Sequence, residues 1–282
     1  MGKRECKLMV ATGMVGVGKT HQTLREIIAY IKGNDKLERK ARKALIYDPN
    51  NKDYTCYDSL YFDVDEPNDL KKSEYIQKFS NLDIATGRRI LAIDKFGNEM
   101  SQEQKREAFR VIMTYARNCV VVLEDMNGYY TNFDSDFVVG RLTTYRHRNT
   151  DLIVHLQSVG ALRPRLWQAT KILRMHYEMD DVKRMRESLQ GRYKIVKLGQ
   201  LIVNEKYLGG NHRFFVYIDL EKQKISGNFT REDFERACNI FINQHRKECL
   251  DSIVYSFTAQ PKFQHYEKAR YQWIQENLRL IQ

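Results

Sequence analysis

Proline is scarce in this chain, four in 282 residues, and so is tryptophan, with two. No tract is compositionally biased, and 42% hydrophobic content beside 29% charged residues excludes a chain too polar to build a core. Cysteine is thin as well: Cys6, Cys56, Cys119, Cys238 and Cys249 are odd in number, widely spread and never in a CxxC pair. That pattern argues against a disulfide framework and a cysteine zinc site, and fits a reducing compartment. No run approaches the roughly 18 uninterrupted apolar residues of a membrane span, and the start "MGKRECKLMV" turns charged too quickly to read as a signal peptide. A cytoplasmic protein is expected. Acidic residues are outnumbered 36 to 47 by Lys and Arg, a net charge of +11. Such a surplus favours a polyanionic partner, because cations that neutralise phosphates release counterions; an ordinary lysine-rich surface is the alternative.

The N-terminal two thirds alternate β-rich runs with amphipathic stretches, the pattern of a parallel sheet covered by helices. Strands are expected at Lys7 to Ala11, Ala44 to Asp48, Ile90 to Asp94, Cys119 to Leu123, Leu152 to Leu156 and Ile172 to His176. Helices are expected at Lys19 to Ile31, Gln102 to Arg117 and Ser135 to Arg146; in the second, Ala108, Val111, Ile112 and Tyr115 recur at helical spacing. The polar stretch Asn50 to Gly87 reads as an insertion with a short strand at "LYFDV". Further on come a helix at "EMDDVKRMRESL", an apolar stretch closed by two glycines, a strand pair in "RFFVYIDLEKQKISG" and a helical end from Arg231. Two domains follow: a core over 1–178, and an α-rich extension over 179–282 with a short strand pair.

Between the first strand and helix, "GMVGVGKT" completes G-x-x-x-x-G-K-[ST] with Gly13, Gly18, Lys19 and Thr20, and Gly16 tightens the spacing. Glycines let backbone N–H groups wrap phosphates, and the helix N-terminus adds a field that favours negative charge. The loop is read as binding a nucleoside triphosphate, with Gly13, Gly16, Val17, Gly18, Lys19, Thr20 and His21 as its contacts. Lys19 is assigned to the β- and γ-phosphates and the Thr20 hydroxyl to Mg²⁺.

Kinases, GTPases and motor ATPases share that loop, so later strands must discriminate. "NCVVVLEDMN" ends an apolar run in Glu124 and Asp125. One of two such acids can hold Mg²⁺ while the other orients or deprotonates the attacking water; a solvated acidic turn is the plainer reading. The usual motor order is Asp then Glu, and its reversal leaves the division of roles open. Gln157, where "DLIVHLQS" meets a loop, suits a sensor of the γ-phosphate and lytic water. His155 alternates away from it and is given no role beyond satisfying itself in the core or in a helix contact.

The stretches "GMVGVGKT", "ALIYDPNN", "VVVLED" and "YRHRNTDLIVHLQS" together resemble the HerA/FtsK superfamily of DNA-pumping ATPases, particularly its viral genome-packaging branch. The likeness covers about residues 6 to 176. It implies an α/β P-loop NTPase fold of the RecA-like, ASCE type with sheet order 5-1-4-3-2, ATP and Mg²⁺ as cofactors, and hexameric rings around double-stranded DNA. It also makes Gly13 to Thr20 the Walker A motif, Glu124 and Asp125 the Walker B motif and Gln157 the polar sensor. The family's rings complete each site with a neighbour's arginine. Arg146 and Arg148, ahead of the sensor strand, are the candidates, with Arg163 and Arg165 as weaker rivals and a dipole-assisted basic helix end as the plainer reading.

DNA contacts are placed in "KLERKARK" at 36–43, "LRPRLWQATK" at 162–171 and "DVKRMRES" at 181–188, each of which also fits a solvated face. Tyr255, Phe257, Phe263, Tyr266, Tyr271 and Trp273 suit core packing or assembly better than base stacking. The leading expectation is an ATP-driven DNA translocase that packages a viral genome, with a capsid vertex or a membrane-associated protein as partner. A plasmid-transfer or filamentous-phage-type assembly ATPase, and a nucleotide-gated switch, are the alternatives.

Overall fold

A computed structural model describes residues 6–34, 40–128, 140, 144–162 and 164–281. Its strands are β1 Leu8–Thr12, β2 Lys43–Asp48, β3 Gly87–Leu91, β4 Cys119–Leu123, β5 Asp151–His155, β6 Ile172–His176, β7 Phe215–Asp219 and β8 Lys224–Gly227. They form a mostly parallel eight-stranded sheet ordered β3-β2-β4-β5-β1-β6-β7-β8. Its middle five, read from β6 to β2, stand in the order 5-1-4-3-2 expected of the fold class, with one strand added beyond β2 and an antiparallel pair beyond β6.

The chain divides into two compact units, Met1–Ile172 and Leu173–Gln282. In the first, β1, β2, β4 and β5 are buried along their whole length, as near-continuous apolar strands covered on both faces must be, while β3 is partly open. Helix α1 (Lys19–Lys32) turns Thr23 and Ile27 inward. Helices α2 (Asp69–Lys72) and α3 (Glu74–Ser80) occupy the insertion, and α4 (Gln102–Tyr115) begins on a Ser101–Gln104 capping box. On α4, Ala108, Val111 and Ile112 are fully buried, and Tyr115 is half-buried. The amino edge of the sheet is stapled by Arg42, which pairs with the Asp151 carboxylate at 3.0 Å and donates to the Cys119 carbonyl, while Lys7 N–H donates to Asp151. Losing either charge would strand the other in the interior, a cost of about 3–5 kcal/mol.

Helix α5 (Pro164–Ala169) still belongs to the first unit; α6 (Arg186–Leu189), α7 (Tyr193–Leu208), α8 (Arg231–Gln244), α9 (Arg246–Phe257) and α10 (Phe263–Asn277) belong to the second. Helix α8 starts on a Thr230–Asp233 capping box, and Trp273 of α10 stacks on Phe241 of α8 at 5.7 Å.

Several sequence expectations change. "LYFDV", residues 60–64, is not a strand: Ser59 just before it makes an isolated bridge to Arg89, and the stretch itself runs as loop and turn. The third strand starts at Gly87 rather than Ile90, because Ala44 to Asp48 pair with Gly87 to Leu91 and β-propensity yields to that register. The helix expected at "EMDDVKRMRESL" breaks into a 3₁₀ turn, Val182–Met185, and the single turn α6. The end is not wholly helical either, since Pro261 lies in the break between α9 and α10. The helix expected over Ser135 to Arg146 falls mostly outside the described residues; within them, Tyr145–Arg148 is a 3₁₀ turn.

Candidate functional site

Parallel strands place their functional residues at their carboxyl ends, and here the register aligns them. Tyr47 pairs with Leu123, Leu123 with Val154, and Ala11 with His155, so Asp48, Glu124, His155 and Ala11 form one row across β2, β4, β5 and β1. Residues in one row of a parallel sheet share a face. Glu124 and His155 are therefore neighbours by construction, although 31 positions separate them in sequence.

The phosphate loop leaves β1 at this edge. Gly16 and Gly18 have φ of 86° and 88°, a conformation L side chains rarely adopt, so glycine there is required by backbone shape. Gly18 is the N-cap of α1, which has neither a side-chain cap nor an acidic residue in its first turn. Its leading N–H groups thus keep their positive field for an anion. The Lys19 amine reaches back over the loop and donates to the carbonyls of Gly13 at 2.5 Å and Met14 at 2.9 Å. Val17 is buried beneath the loop, while Val15, 78% exposed, forms its apex and His21 faces solvent.

Glu124 is buried and meets several donors. Its Oε2 lies 2.7 Å from His155 Nδ1, Tyr54 Oη donates to Oε1, and the Thr20 hydroxyl faces the same carboxylate. Burial pushes this carboxyl up, but the facing His155 and the hydrogen bonds from His155, Tyr54 and Thr20 outweigh it and hold Glu124 below the usual glutamate value. Asp48 goes the other way: burial, less the hydrogen bonds it accepts from the loop, raises it to about 6. Asp53 is also raised, by burial and then by the charge of Glu124.

Mg²⁺ suits this set. A hydroxyl and a carboxylate that face each other are hard oxygen donors, and the upward push that Glu124 exerts on Asp48 and Asp53 is what a bound cation relieves. Among the described residues no group of three or more His, Cys, Asp or Glu could hold a metal alone. Thr20 and Glu124 are the residues that would hold it.

The adjacent acids part company. Asp125 has φ of 41°, sits in a turn closed by Gly128 N–H donating to its carbonyl at 2.8 Å, and turns its carboxylate toward Gly128. Gln157 is exposed just past β5, and since Leu156 N–H donates to the Ala11 carbonyl, it lies beside the start of the phosphate loop. Arg146 and Arg148 precede β5 at the other edge of the sheet, about 13 Å of strand away from the loop. Arg165 is exposed on α5, and Arg163 lies outside the described residues.

Sequence reasoning missed Tyr54 and passed over His155. Tyr54 comes from the loop after β2, where nothing in its spacing marks it; only the burial of a titratable His beside an expected acid could have flagged the second. Some expected DNA contacts are structural instead: in the 36–43 run, buried Arg42 staples strands and Lys43 donates to the Ser80 and Leu82 carbonyls, while Lys36 to Arg39 lie outside the described residues. Lys171 is buried as well. Arg186 pairs with Glu248 at 2.6 Å on the surface.

No protein-family model matches the chain, and no curated protein does. Among solved structures, the genome packaging NTPase B204 from Sulfolobus turreted icosahedral virus 2 in complex with AMP aligns with a TM-score of 0.52 and 14% identity, over 80% of this chain and 98% of that one. The same NTPase in complex with ATP-gammaS aligns with a TM-score of 0.50 and 14% identity, over 79% of this chain and 97% of that one. At that identity the likeness shows a shared fold.

Proposed function

We propose that this protein hydrolyses ATP to move double-stranded DNA, as one subunit of a ring that packages a viral genome. The observation that carries the reading is a glycine loop closed by Lys19 whose Thr20 faces the buried Glu124 carboxylate, which joins a triphosphate cradle to a metal-holding pair. The fold shared with a genome packaging NTPase crystallised with ATP-gammaS and AMP supports it, and so does the +11 charge. Lys19 faces the β- and γ-phosphates, Thr20 and Glu124 hold Mg²⁺, Asp125 orients or deprotonates the lytic water, and Gln157 senses the γ-phosphate. Bound Mg²⁺ neutralises charge on the phosphates. No helix among the described residues is long and apolar enough to cross a membrane, and the host cytoplasm or virion is the proposed setting.

The test is phosphate release measured with and without long duplex DNA of two unrelated sequences across a salt series, alongside the mass of the oligomer. The rate is expected to rise equally with both sequences and the rise to fade with salt, because backbone phosphates are what the motor grips. Turnover indifferent to DNA would favour the nucleotide-gated switch.

A second expectation concerns Arg146 and Arg148. Lying at the edge opposite their own loop, they suit action on a neighbour's site. Arg146→Ala or Arg148→Ala protein should bind ATP normally and hydrolyse it slowly, and mixing it with Lys19→Ala protein should restore activity. In a mixed ring an intact arginine from the Lys19→Ala subunit meets an intact loop on the next subunit. Confirmed mixed rings without rescue for either residue would move the role to Arg163 or Arg165, or end it.

A further inference from the structure

Two side chains that belong to no nucleotide motif converge on Glu124. His155 is 1% exposed, and its Nδ1 lies 2.7 Å from Glu124 Oε2. A carboxylate only accepts, so at this separation Nδ1 is the ring nitrogen suited to carry the proton. The other ring nitrogen shares a 2.7 Å hydrogen bond with the Thr23 hydroxyl, fully buried on the first turns of α1, and this fixes the ring's rotation. Tyr54, 5% exposed, donates to Glu124 Oε1 from the opposite side.

The loop that delivers Tyr54 is built for the purpose. Asp48 accepts from the N–H groups of Asn50 at 3.2 Å and Asp53 at 2.9 Å. The Asn51 side chain takes the place of a strand residue against Ala92, accepting its N–H at 2.7 Å and donating to its carbonyl at 3.3 Å, and Arg89 donates to the Asp53 carbonyl. Tyr54 itself has φ of 55°, a disfavoured backbone for a bulky residue, which these ties sustain.

We propose that Tyr54 and His155, the latter steadied by Thr23, are positioning residues that clamp the Glu124 carboxylate against Thr20. An ionised carboxylate offers about four lone-pair positions. With Tyr54 and His155 each taking one, the clamp leaves the remaining directions for Thr20 and the water shell of a cation beside the phosphates. Without it the carboxylate rotates and the metal pair loses its geometry. The proposal rests on the nucleotide-site reading above and extends it to residues of the sheet row and the β2 loop.

The test uses the full chain with Tyr54→Phe, His155→Leu and His155→Asn. Fluorescent ATP-analogue binding is titrated with and without MgCl₂, and hydrolysis is measured at saturating ATP. Tyr54→Phe and His155→Leu are expected to raise the Mg²⁺ concentration for half-maximal binding and to lower kcat, each by about tenfold or more, with Mg²⁺-free affinity unchanged. His155→Asn keeps a donor close to where Nδ1 stood and should return both values to within about threefold of wild type. A residue that merely filled the core would lower the melting temperature and leave the Mg²⁺ requirement alone.

Folded Tyr54→Phe and His155→Leu proteins with wild-type Mg²⁺ requirement overturn the clamp, as does His155→Asn performing no better than His155→Leu. Should the leucine variant not fold, Tyr54→Phe, which removes a single oxygen, decides alone. A wild-type chain that binds Mg²⁺ and nucleotide without hydrolysing it would sink the motor reading, yet the binding titration would still judge the clamp. A wild-type chain that binds no nucleotide sinks both.

Discussion

Lys19→Ala protein is expected to hydrolyse ATP at background rate, a loss of at least about a hundredfold, or roughly 3 kcal/mol of transition-state stabilisation. The amine donates to the Gly13 and Met14 carbonyls and so lies over the mouth of the loop, where phosphate oxygens would accept the same donors. Charge-assisted hydrogen bonds of this kind are about twice as strong as neutral ones, and no other cation in Gly13 to Thr20 can replace it. Folding should survive, because Lys19 is only half-buried and the two carbonyls it releases can reach water. Phosphate release together with circular dichroism checks both halves, and turnover by a folded Lys19→Ala protein would remove the enzyme reading altogether.

Glu124→Gln is expected to slow hydrolysis at least about tenfold and to weaken Mg²⁺-dependent nucleotide binding, while Asp125→Asn slows turnover with Mg²⁺ affinity kept. The difference follows from where the two carboxylates lie: one facing Thr20, the other in its own turn beside Gly128. The glutamine costs more than a charge. Tyr54 donates to one carboxylate oxygen and His155 Nδ1 lies against the other, and an amide presents one acceptor oxygen and an NH₂, so a donor is left facing a donor. A buried donor left unpaired costs about 1–3 kcal/mol, which should appear as a lower denaturation midpoint. The carboxylate's own contribution to stability is present at neutral pH and lost as pH falls through its depressed pKa, so this deficit should shrink in acid. If neither variant slows hydrolysis tenfold, the acidic pair has been misassigned.

Much of this site was legible in one dimension because its parts are local. The phosphate loop is contiguous: its glycines, lysine and threonine must be adjacent for one turn to wrap phosphates, so spacing alone reports it. The apolar runs of β1, β2, β4 and β5 were legible for a similar reason, since strands buried on both faces have to be apolar throughout. Glu124 stood out by ending such a run. The strand predicted at "LYFDV" failed because alternation cannot tell a strand from a loop whose side chains pack; Phe62 and Val64 are buried there without a ladder.

What pairing creates, spacing does not report. His155 meets Glu124 because β4 and β5 align Leu123 with Val154, and Tyr54 reaches the same carboxylate because Asp48 and Asn51 pin a loop to β3. The same holds for Arg42, which reads as one more cation in a basic run until its contact with Asp151 makes it a staple. The phosphate loop, the α/β class and the acid at the end of the fourth strand are set by residues close in the chain and can be read without the fold. Which of two adjacent acids faces Thr20, and which side chains hold it, depends on strand pairing, because a register shift of one residue would send Glu124 to the other face of the sheet.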